Sequence, residues 1–275
     1  MFKIQLKDTV LDLATPQVMG ILNATPDSFY KESRIEQLAL SVQKAVEMVA
    51  AGAAILDIGG QSTRLGAELV SEAVEIERVV PVIEAIHAAL PQTPISIDTY
   101  HAVVAKAALD AGASIVNDIS CGNFDKNMID MVVANQAGYI GMHQTGDPTT
   151  LHQIDIRSDI MQDLLDYFNL KKTDFASKGL TNWIIDPGFG FSKTIEENFN
   201  IVKSLNQLQS IGLPMLLGVS RKSSIYKTLG VTAADALNGT TVLNTVGLLG
   251  GANILRVHDV QEAKEAIVLI NQLLK

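Results

Sequence analysis

One unit recurs eight times along this chain of 275 residues: a short apolar, β-branched run, a polar loop and a segment with helical periodicity. The apolar runs are residues 18–23, 53–60, 94–99, 113–118, 138–143, 182–187, 214–220 and 252–258. The helical segments are residues 36–51, 71–89, 101–110, 125–135, 155–178, 196–209, 233–249 and 261–274. Because the runs are continuously apolar rather than alternating, they indicate strands buried on both faces of a parallel sheet.

Eight such βα units in a chain of this length predict a closed (β/α)8 TIM barrel, with residues 1–275 as a single domain. A doubly wound open sheet stays open as the alternative, because six strands would suffice for it. Ahead of the first unit, residues 2–6 and 9–13 read as two short strands around Lys7-Asp8. They predict a small N-terminal β-hairpin.

Charge and composition limit the class of partner and the compartment. The net charge of -9 argues against nucleic acid or an acidic membrane as the main partner. No apolar run approaches the roughly 18 residues of a membrane span, and the N-terminus lacks the apolar core of a signal peptide. The single cysteine, Cys121, excludes an intrachain disulfide framework and fits a reducing cytosol. We therefore expect a cytoplasmic protein.

Every predicted barrel strand ends in polar side chains, and the carboxyl ends of barrel strands are where active sites form. These side chains are Asn23, Asp57, Asp98, Asn117 with Asp118, His143, Asp186, Ser220 with Arg221 and Lys222, and Arg256 with His258. For a single position such as Asp57 or Asp118, turning the chain or capping a helix explains the residue at least as well. Together, they predict one polar mouth for a zwitterionic or heterocyclic ligand with an anionic tail.

Three loops add detail to this mouth. Residues 59–66, GGQSTRLG, combine paired glycines with hydroxyls and an arginine that suit phosphate oxygens, yet they match neither common nucleotide-binding motif. Residues 23–30 have the composition of a mobile lid. In residues 186–193, Phe189 and Phe191 could flank a flat ring, or could simply pack in the core.

Cations and metal ligands are sparse. Lys222 and Arg256 follow the last two strands, where barrels commonly hold phosphate. Of the adjacent cations, we expect Arg221 to face solvent or to hold the neighbouring loop. The histidines show no zinc spacing, but Mg²⁺ could be held by a substrate phosphate together with Asn23.

Six segments resemble, in the same order, the signatures of the dihydropteroate synthase family. They are GILNATPDSF, LDIGGQSTRLGA, ISIDTYHAVVAKAALDAGASIVNDIS, DPGFGF, GVSRKSSI and GANILRVHDV. The resemblance implies a TIM-barrel enzyme that joins 6-hydroxymethyl-7,8-dihydropterin diphosphate to 4-aminobenzoate. The products would be 7,8-dihydropteroate and diphosphate, formed in folate synthesis after an SN1-like loss of diphosphate. It also implies Mg²⁺, a homodimer and a sulfonamide target.

The resemblance further implies roles for individual residues. Asp98, Asp186 and Lys222 would be catalytic, and Asn23 would bind Mg²⁺. The aminobenzoate would pack near Phe191, with its carboxylate by Ser223 at the start of the next helix. The pterin diphosphate would contact Thr63, Arg64, Asp98, Asn117, Asp186, Lys222, Arg256 and His258. Mobile loops carrying Asp27, Phe29, Ser62 and Leu65 would close over both substrates.

The chain departs from the family pattern in two loops. Leu65 replaces a common proline beside the aminobenzoate, which bears on affinity for aminobenzoate and for sulfonamides. Gln144 and Thr145 stand where methionine and arginine are usual, and no catalytic role is assigned to His143.

Two other functions are alternatives to this one. A methyltetrahydrofolate:corrinoid methyltransferase would share the pterin pocket but has no need of the phosphate-binding cations, and a non-catalytic paralogue would have no need to retain them.

Overall fold

In the computed structural model, residues 2–7, 9–24, 31–61, 69–150 and 153–275 are described, residues 31–35 by their backbone alone. The strands in these ranges are β1 (Lys3–Gln5), β2 (Val10–Asp12), β3 (Gln17–Asn23), β4 (Ile55–Gly59), β5 (Ile95–Asp98), β6 (Ile115–Asp118), β7 (Gly138–Met142), β8 (Ile184–Asp186), β9 (Leu216–Leu217) and β10 (Ile254–Val257). The α-helices are α1 (Lys31–Ala50), α2 (Glu72–Ala89), α3 (Ala102–Asp110), α4 (Met128–Ala134), α5 (Ile160–Ser177), α6 (Ile195–Lys203), α7 (Ser223–Leu229), α8 (Leu237–Leu249) and α9 (Val260–Leu273).

Strands β3 to β10 form one parallel sheet in the order β8-β7-β6-β5-β4-β3-β10-β9. A parallel bridge between Ile185 and Met215 joins β8 to the residue before β9, and the Ile185 N–H donates to the Pro214 carbonyl at 2.9 Å. This bridge brings the two edge strands together, so the predicted (β/α)8 barrel is confirmed and the open sheet is wrong.

The predicted hairpin is also present, as antiparallel β1 and β2. It packs Ile4, Leu6, Leu11 and Leu13 against the apolar side chains at the amino ends of the barrel strands. The fit is tight at Gly138, where an added methyl group would lie 2.7 Å from Leu6 Cδ2. The hairpin therefore covers one end of the barrel and leaves the carboxyl ends of the strands for the functional site.

Among the helices that differ from their predicted bounds, two do so for clear local reasons. The Asp159 side chain accepts hydrogen bonds from the N–H groups of Met161 and Gln162, so α5 begins five residues later than predicted. The predicted helix at 196–209 is instead α6 followed by a 3-10 helix, Leu205–Ile211. None of the described helices is long and apolar enough to cross a membrane.

Candidate active site

Arg256, at the carboxyl end of β10, lies at the centre of the barrel mouth between two carboxylates. Its Nε donates to Asp57 Oδ2 at 2.6 Å, and its Nη2 donates to Asp98 Oδ2 at 2.5 Å. Asn117 Nδ2 donates to the same oxygen of Asp57 at 3.1 Å. Side chains from β4, β5, β6 and β10 thus form one polar network.

Asp57 and Asp118 both follow the apolar part of a strand, but Asp57 belongs to the polar network of the mouth and Asp118 shapes a turn. Asp57 is fully buried within the mouth network, and its Oδ1 has no hydrogen-bond partner among the described residues. Asp118 is a turn residue: its carboxylate accepts hydrogen bonds from the Ser120 and Gly122 N–H groups and from the Tyr139 hydroxyl. The expectation that every strand-end side chain faces the mouth is therefore wrong for Asp118.

Lys222 and the loop after β8 form the next part of the mouth. The Lys222 ammonium donates to the Phe189 carbonyl and lies 4.5 Å from the centre of the Phe191 ring. Its aliphatic stem passes over Gly190, where an added methyl group would lie 2.8 Å from Lys222 Cδ. Asp186, ending β8, accepts the Gly188 N–H at 2.8 Å. The geometry brings Asp186, Lys222 and Phe191 to one side of the site.

A small apolar cluster lies in the same mouth, separate from the main core. It consists of Tyr100, Ile119, Met142 and Phe191, with Phe124 packed against it. Phe189, by contrast, is fully buried in the main core, so core packing is the correct interpretation for that residue. Ile119 and Met142 are not among the residues predicted for the site. The only sequence signal for them is position: Ile119 directly follows Asn117-Asp118, and Met142 ends β7.

Burial and neighbouring charges shift the pKa values of the ionisable groups in the mouth. Burial raises the pKa of Asp98 to about 7, against the lowering effect of Arg256. Burial also raises the pKa of Asp186, and Lys222 opposes that rise. Burial lowers the pKa of Lys222 to about 8, although Asp186 favours its charged form. Near neutral pH, the charges of Asp98 and Lys222 therefore depend on what binds beside them.

The end of β10 and the loop after β9 are joined by Ser220. Its hydroxyl accepts the His258 N–H at 3.1 Å and lies 2.9 Å from His258 Nδ1. Arg221 turns away from this pair, with Nε and Nη2 both 2.8 Å from the Asp259 carboxylate and Nη1 donating to the Ala233 carbonyl at 3.0 Å. Of the two expectations for Arg221, holding the adjacent loop is the correct one. Ser223 is the first residue of α7.

His143 points away from the mouth, although it follows β7. Its Nε2 lies 3.2 Å from Asp163 on α5, and its ring packs edge-on against Tyr167. Burial lowers its pKa to about 4, so the imidazole is neutral at physiological pH. Thr145, in the same loop, accepts a hydrogen bond from Arg157 at 3.0 Å. The structure places these residues in a support layer behind the site.

Some predicted residues lie outside the described ranges: Asp27, Phe29, Ser62, Thr63, Arg64 and Leu65. Asn23 is described and exposed at the end of β3, beside Gly59 of β4. Its amide oxygen is the type of ligand that Mg²⁺ accepts when substrate phosphates and water supply the others. The described residues contain no group of three acidic, histidine or cysteine side chains that could hold a metal by themselves.

Comparisons by family model, by sequence and by structure all find this chain similar to pterin-binding enzymes. Residues 19–258 match the family model described as "Pterin binding enzyme". A dihydropteroate synthase of Synechocystis is 41% identical over 247 residues, covering 89% of this chain and 85% of that protein. The Yersinia pestis dihydropteroate synthase, solved in a sulfonamide drug complex, superposes with a TM-score of 0.91 at 35% identity, covering 99% of both chains. The Xanthomonas albilineans enzyme, solved with 4-aminobenzoic acid, has a TM-score of 0.90 at 31% identity, with 99% of this chain and 98% of that chain covered.

Proposed function

The chain belongs to the dihydropteroate synthase family of pterin-binding enzymes, and we propose how its barrel mouth carries out the reaction of that family. It is a transferase of folate biosynthesis. The proposed substrates are (7,8-dihydropterin-6-yl)methyl diphosphate and 4-aminobenzoate, and the products are 7,8-dihydropteroate and diphosphate. The observation that carries this proposal is the Asp57–Arg256–Asp98 network with Asn117 beside it, because it combines acceptors for a heterocycle with a cation for its anionic tail.

The pterin ring fits the polar side chains of the mouth. A carboxylate accepts two parallel N–H groups well, and Asp186 can do so for the amino-pyrimidinone edge. Asn117 donates one N–H to Asp57 and keeps its carbonyl oxygen for the ligand. Asp98 accepts from the far edge of the ring system, and Lys222 donates to the ring carbonyl. Met142 and Ile119 give the flat ring an apolar wall.

The diphosphate is the leaving group, and the cations of the mouth stabilise its developing charge. The bond between the methylene carbon and the diphosphate oxygen breaks with both electrons on oxygen, which leaves a resonance-stabilised pterin-methylene cation. Arg256 and His258 contact the departing group, and Thr63 and Arg64 are proposed to do so. Mg²⁺, bound through Asn23 and the phosphates, would neutralise part of the negative charge. The ionised carboxylates of Asp98 and Asp186 stabilise the cation.

The second substrate enters beside the loop after β8. Its ring packs near Phe191, and its carboxylate lies at Ser223, where the first N–H groups of a helix favour an anion. The aniline nitrogen then attacks the methylene carbon with its lone pair and loses a proton to water. Lids carrying Asp27, Phe29, Ser62 and Leu65 are proposed to close over both substrates before the attack and to open again when the proton and the products leave.

The deciding experiment supplies the purified protein with both substrates, with and without Mg²⁺, and measures dihydropteroate. We expect product only when both substrates are present, and faster formation with Mg²⁺. Asp98→Asn and Asp186→Asn should each lower turnover by orders of magnitude while the melting temperature stays close to that of the wild type. A wild-type protein that forms no dihydropteroate would refute the proposed activity, and near-normal kinetics in both variants would refute the carboxylate roles.

A homodimer is proposed through the last two helices. Val242, Val246 and Leu249 are exposed along one stripe of α8, and Leu269 and Leu273 are exposed on α9, which packs beside it. Sedimentation at micromolar concentration should show twice the monomer mass, and Val246→Glu should shift it to the monomer. A wild type that sediments as a monomer would refute the dimer.

The proposed compartment is the cytoplasm, which fits the single, buried Cys121 and can be checked by cell fractionation.

A further inference from the structure

Lys193, near the end of the loop after β8, is a buried lysine outside the substrate-binding set. Only 6% of the residue is exposed. Its Nζ donates to three backbone carbonyls: Gly188 at 3.0 Å, Phe191 at 3.1 Å and His143 at 3.2 Å. An ammonium has three N–H donors, so this arrangement uses all of them. Lys193 therefore ties the loop after β8 to itself and to the end of β7.

The shape of this loop explains why hydrogen-bond donors are needed at this point. Gly188, Gly190 and Ser192 all have positive φ, at 70°, 85° and 50°, so the chain coils tightly and brings carbonyl oxygens together. Converging carbonyl oxygens repel each other unless hydrogen-bond donors lie between them, and the Lys193 side chain supplies three such donors. Without the ammonium, these buried acceptors would each lose a partner, which is unfavourable in a site closed to water. The loop thus folds with the Lys193 amino group at its centre, hydrogen-bonded to its carbonyl oxygens.

The same loop presents two groups to the substrates. The Gly188 N–H holds the Asp186 carboxylate, and the Phe191 ring lies beneath the Lys222 ammonium. Carbonyls on either side of Phe189 face Lys193, whereas the Phe189 carbonyl faces Lys222. A change in the loop conformation would therefore displace the Phe191 ring, the Gly188 N–H that donates to Asp186 and the Phe189 carbonyl that accepts from Lys222.

We propose that Lys193 is a positioning residue of the active site, which holds the Phe191 ring and, through Gly188, the Asp186 carboxylate in their working places. Lys193 touches neither substrate and acts through the backbone. This inference rests on the proposed reaction, because its consequence is expressed in the kinetics of that reaction. The residue that it governs most directly is Phe191, whose own carbonyl it binds, so the aminobenzoate site is the one most affected.

The test compares Lys193→Met, which removes all donors at similar volume, with Lys193→Gln, which keeps two N–H donors. Lys203→Met removes a lysine exposed on α6 and serves as the matched control. The measurements are the melting temperature and the steady-state kinetics of dihydropteroate formation with each substrate varied in turn. For Lys193→Met we expect at least a tenfold rise in KM for 4-aminobenzoate and a tenfold fall in kcat. The KM for the pterin diphosphate should change less than threefold, and Lys193→Gln should recover part of the loss.

A purely structural role predicts a different result: a lower melting temperature with wild-type kinetic constants per folded molecule. That result would overturn the proposal, as would two variants that both fail to fold, because a positioning role requires a fold that survives without Lys193. Combining Lys193→Gln with Phe191→Ala should give less than the sum of their separate effects on the KM for aminobenzoate. If the wild type itself forms no product, the reaction is refuted rather than the role of Lys193.

Discussion

Glu75 on α2 gives the sharpest prediction about stability, because it is a carboxyl group buried behind the mouth, and none of the described lysines or arginines forms an ion pair with it. Only 1% of the residue is exposed, and its Oε1 has no hydrogen-bond partner among the described residues. Burial raises its pKa from 4.5 to about 7, a hydrogen bond with Thr99 opposes the rise, and the charge of Asp98 adds to it. Because the folded pKa lies above the unfolded one, Glu75 favours the folded state only while it is protonated.

The sign and size of the effect follow from these pKa values. Below pH 4.5, Glu75 is protonated in both states and costs nothing. As the pH rises from 4.5 to 7, the unfolded chain releases its proton first, and the free energy of unfolding falls. At about 1.4 kcal/mol per pH unit, the loss approaches about 3 kcal/mol at pH 8. Glu75→Gln resembles the protonated side chain, so it should remove this loss and raise the melting temperature by roughly 5 °C at pH 8.

Urea denaturation at pH 4.5 and at pH 8 measures the effect. Glu75→Gln should be more stable than the wild type at pH 8 and equal to it at pH 4.5. Glu84→Gln removes the same charge from an exposed position of the same helix and should change stability little at either pH. A difference between Glu75→Gln and the wild type that does not depend on pH, or a loss of stability at pH 8, would refute the reasoning.

Two further predictions concern the mouth. Gly188→Ala should lower activity at least a hundredfold or prevent folding, because the added methyl group would collide with the His143 carbonyl and the residue has a φ of 70°. Gly230 has nearly the same backbone conformation but faces open space, so Gly230→Ala should cost only about 1 kcal/mol of unfolding free energy. Equal effects of the two substitutions would contradict the collision. For the wild type, kcat/KM should rise through about pH 7 as Asp98 ionises and fall above about pH 8 as Lys222 loses its proton. In Lys222→Arg the fall should move well above pH 8, and an unmoved fall would exclude Lys222 as its cause.

The barrel could be predicted from the sequence because each of its units repeats the same signal. Continuous apolar runs and helical periodicity are local properties, and eight repeats of them leave few architectures. The end of α6 could not be predicted in this way, because residues 196–209 keep an apolar helical pattern through Ser204. There, the backbone changes from an α-helix to a 3-10 helix without a glycine or proline to mark the change.

The choice between Asp57 and Asp118 depends on strand register, which is not a local property. Side chains alternate between the two faces of a strand. Asn117 pairs in register with Asp98, which pairs with Gly59, so these positions share one face, as does Asp57 two residues before Gly59. Asp118 is adjacent to Asn117 and therefore faces outward. Once one inward residue and the register are known, the direction of every strand-end side chain follows, but neither can be read from a single sequence.

The two carboxylates that hold Arg256 are not equivalent, and the difference bears on the proposed reaction. Asp57 is fully buried and also accepts the Asn117 N–H, so its oxygen is committed to the network. Asp98 is partly exposed to the mouth, and burial raises its pKa to about 7, so its negative charge depends on the opposing effect of Arg256. An arriving diphosphate can therefore replace Asp98 as a partner of Arg256, while Asp57 keeps the guanidinium in place. In the proposed reaction, this exchange releases the Asp98 carboxylate for the pterin at the moment when the leaving group is bound.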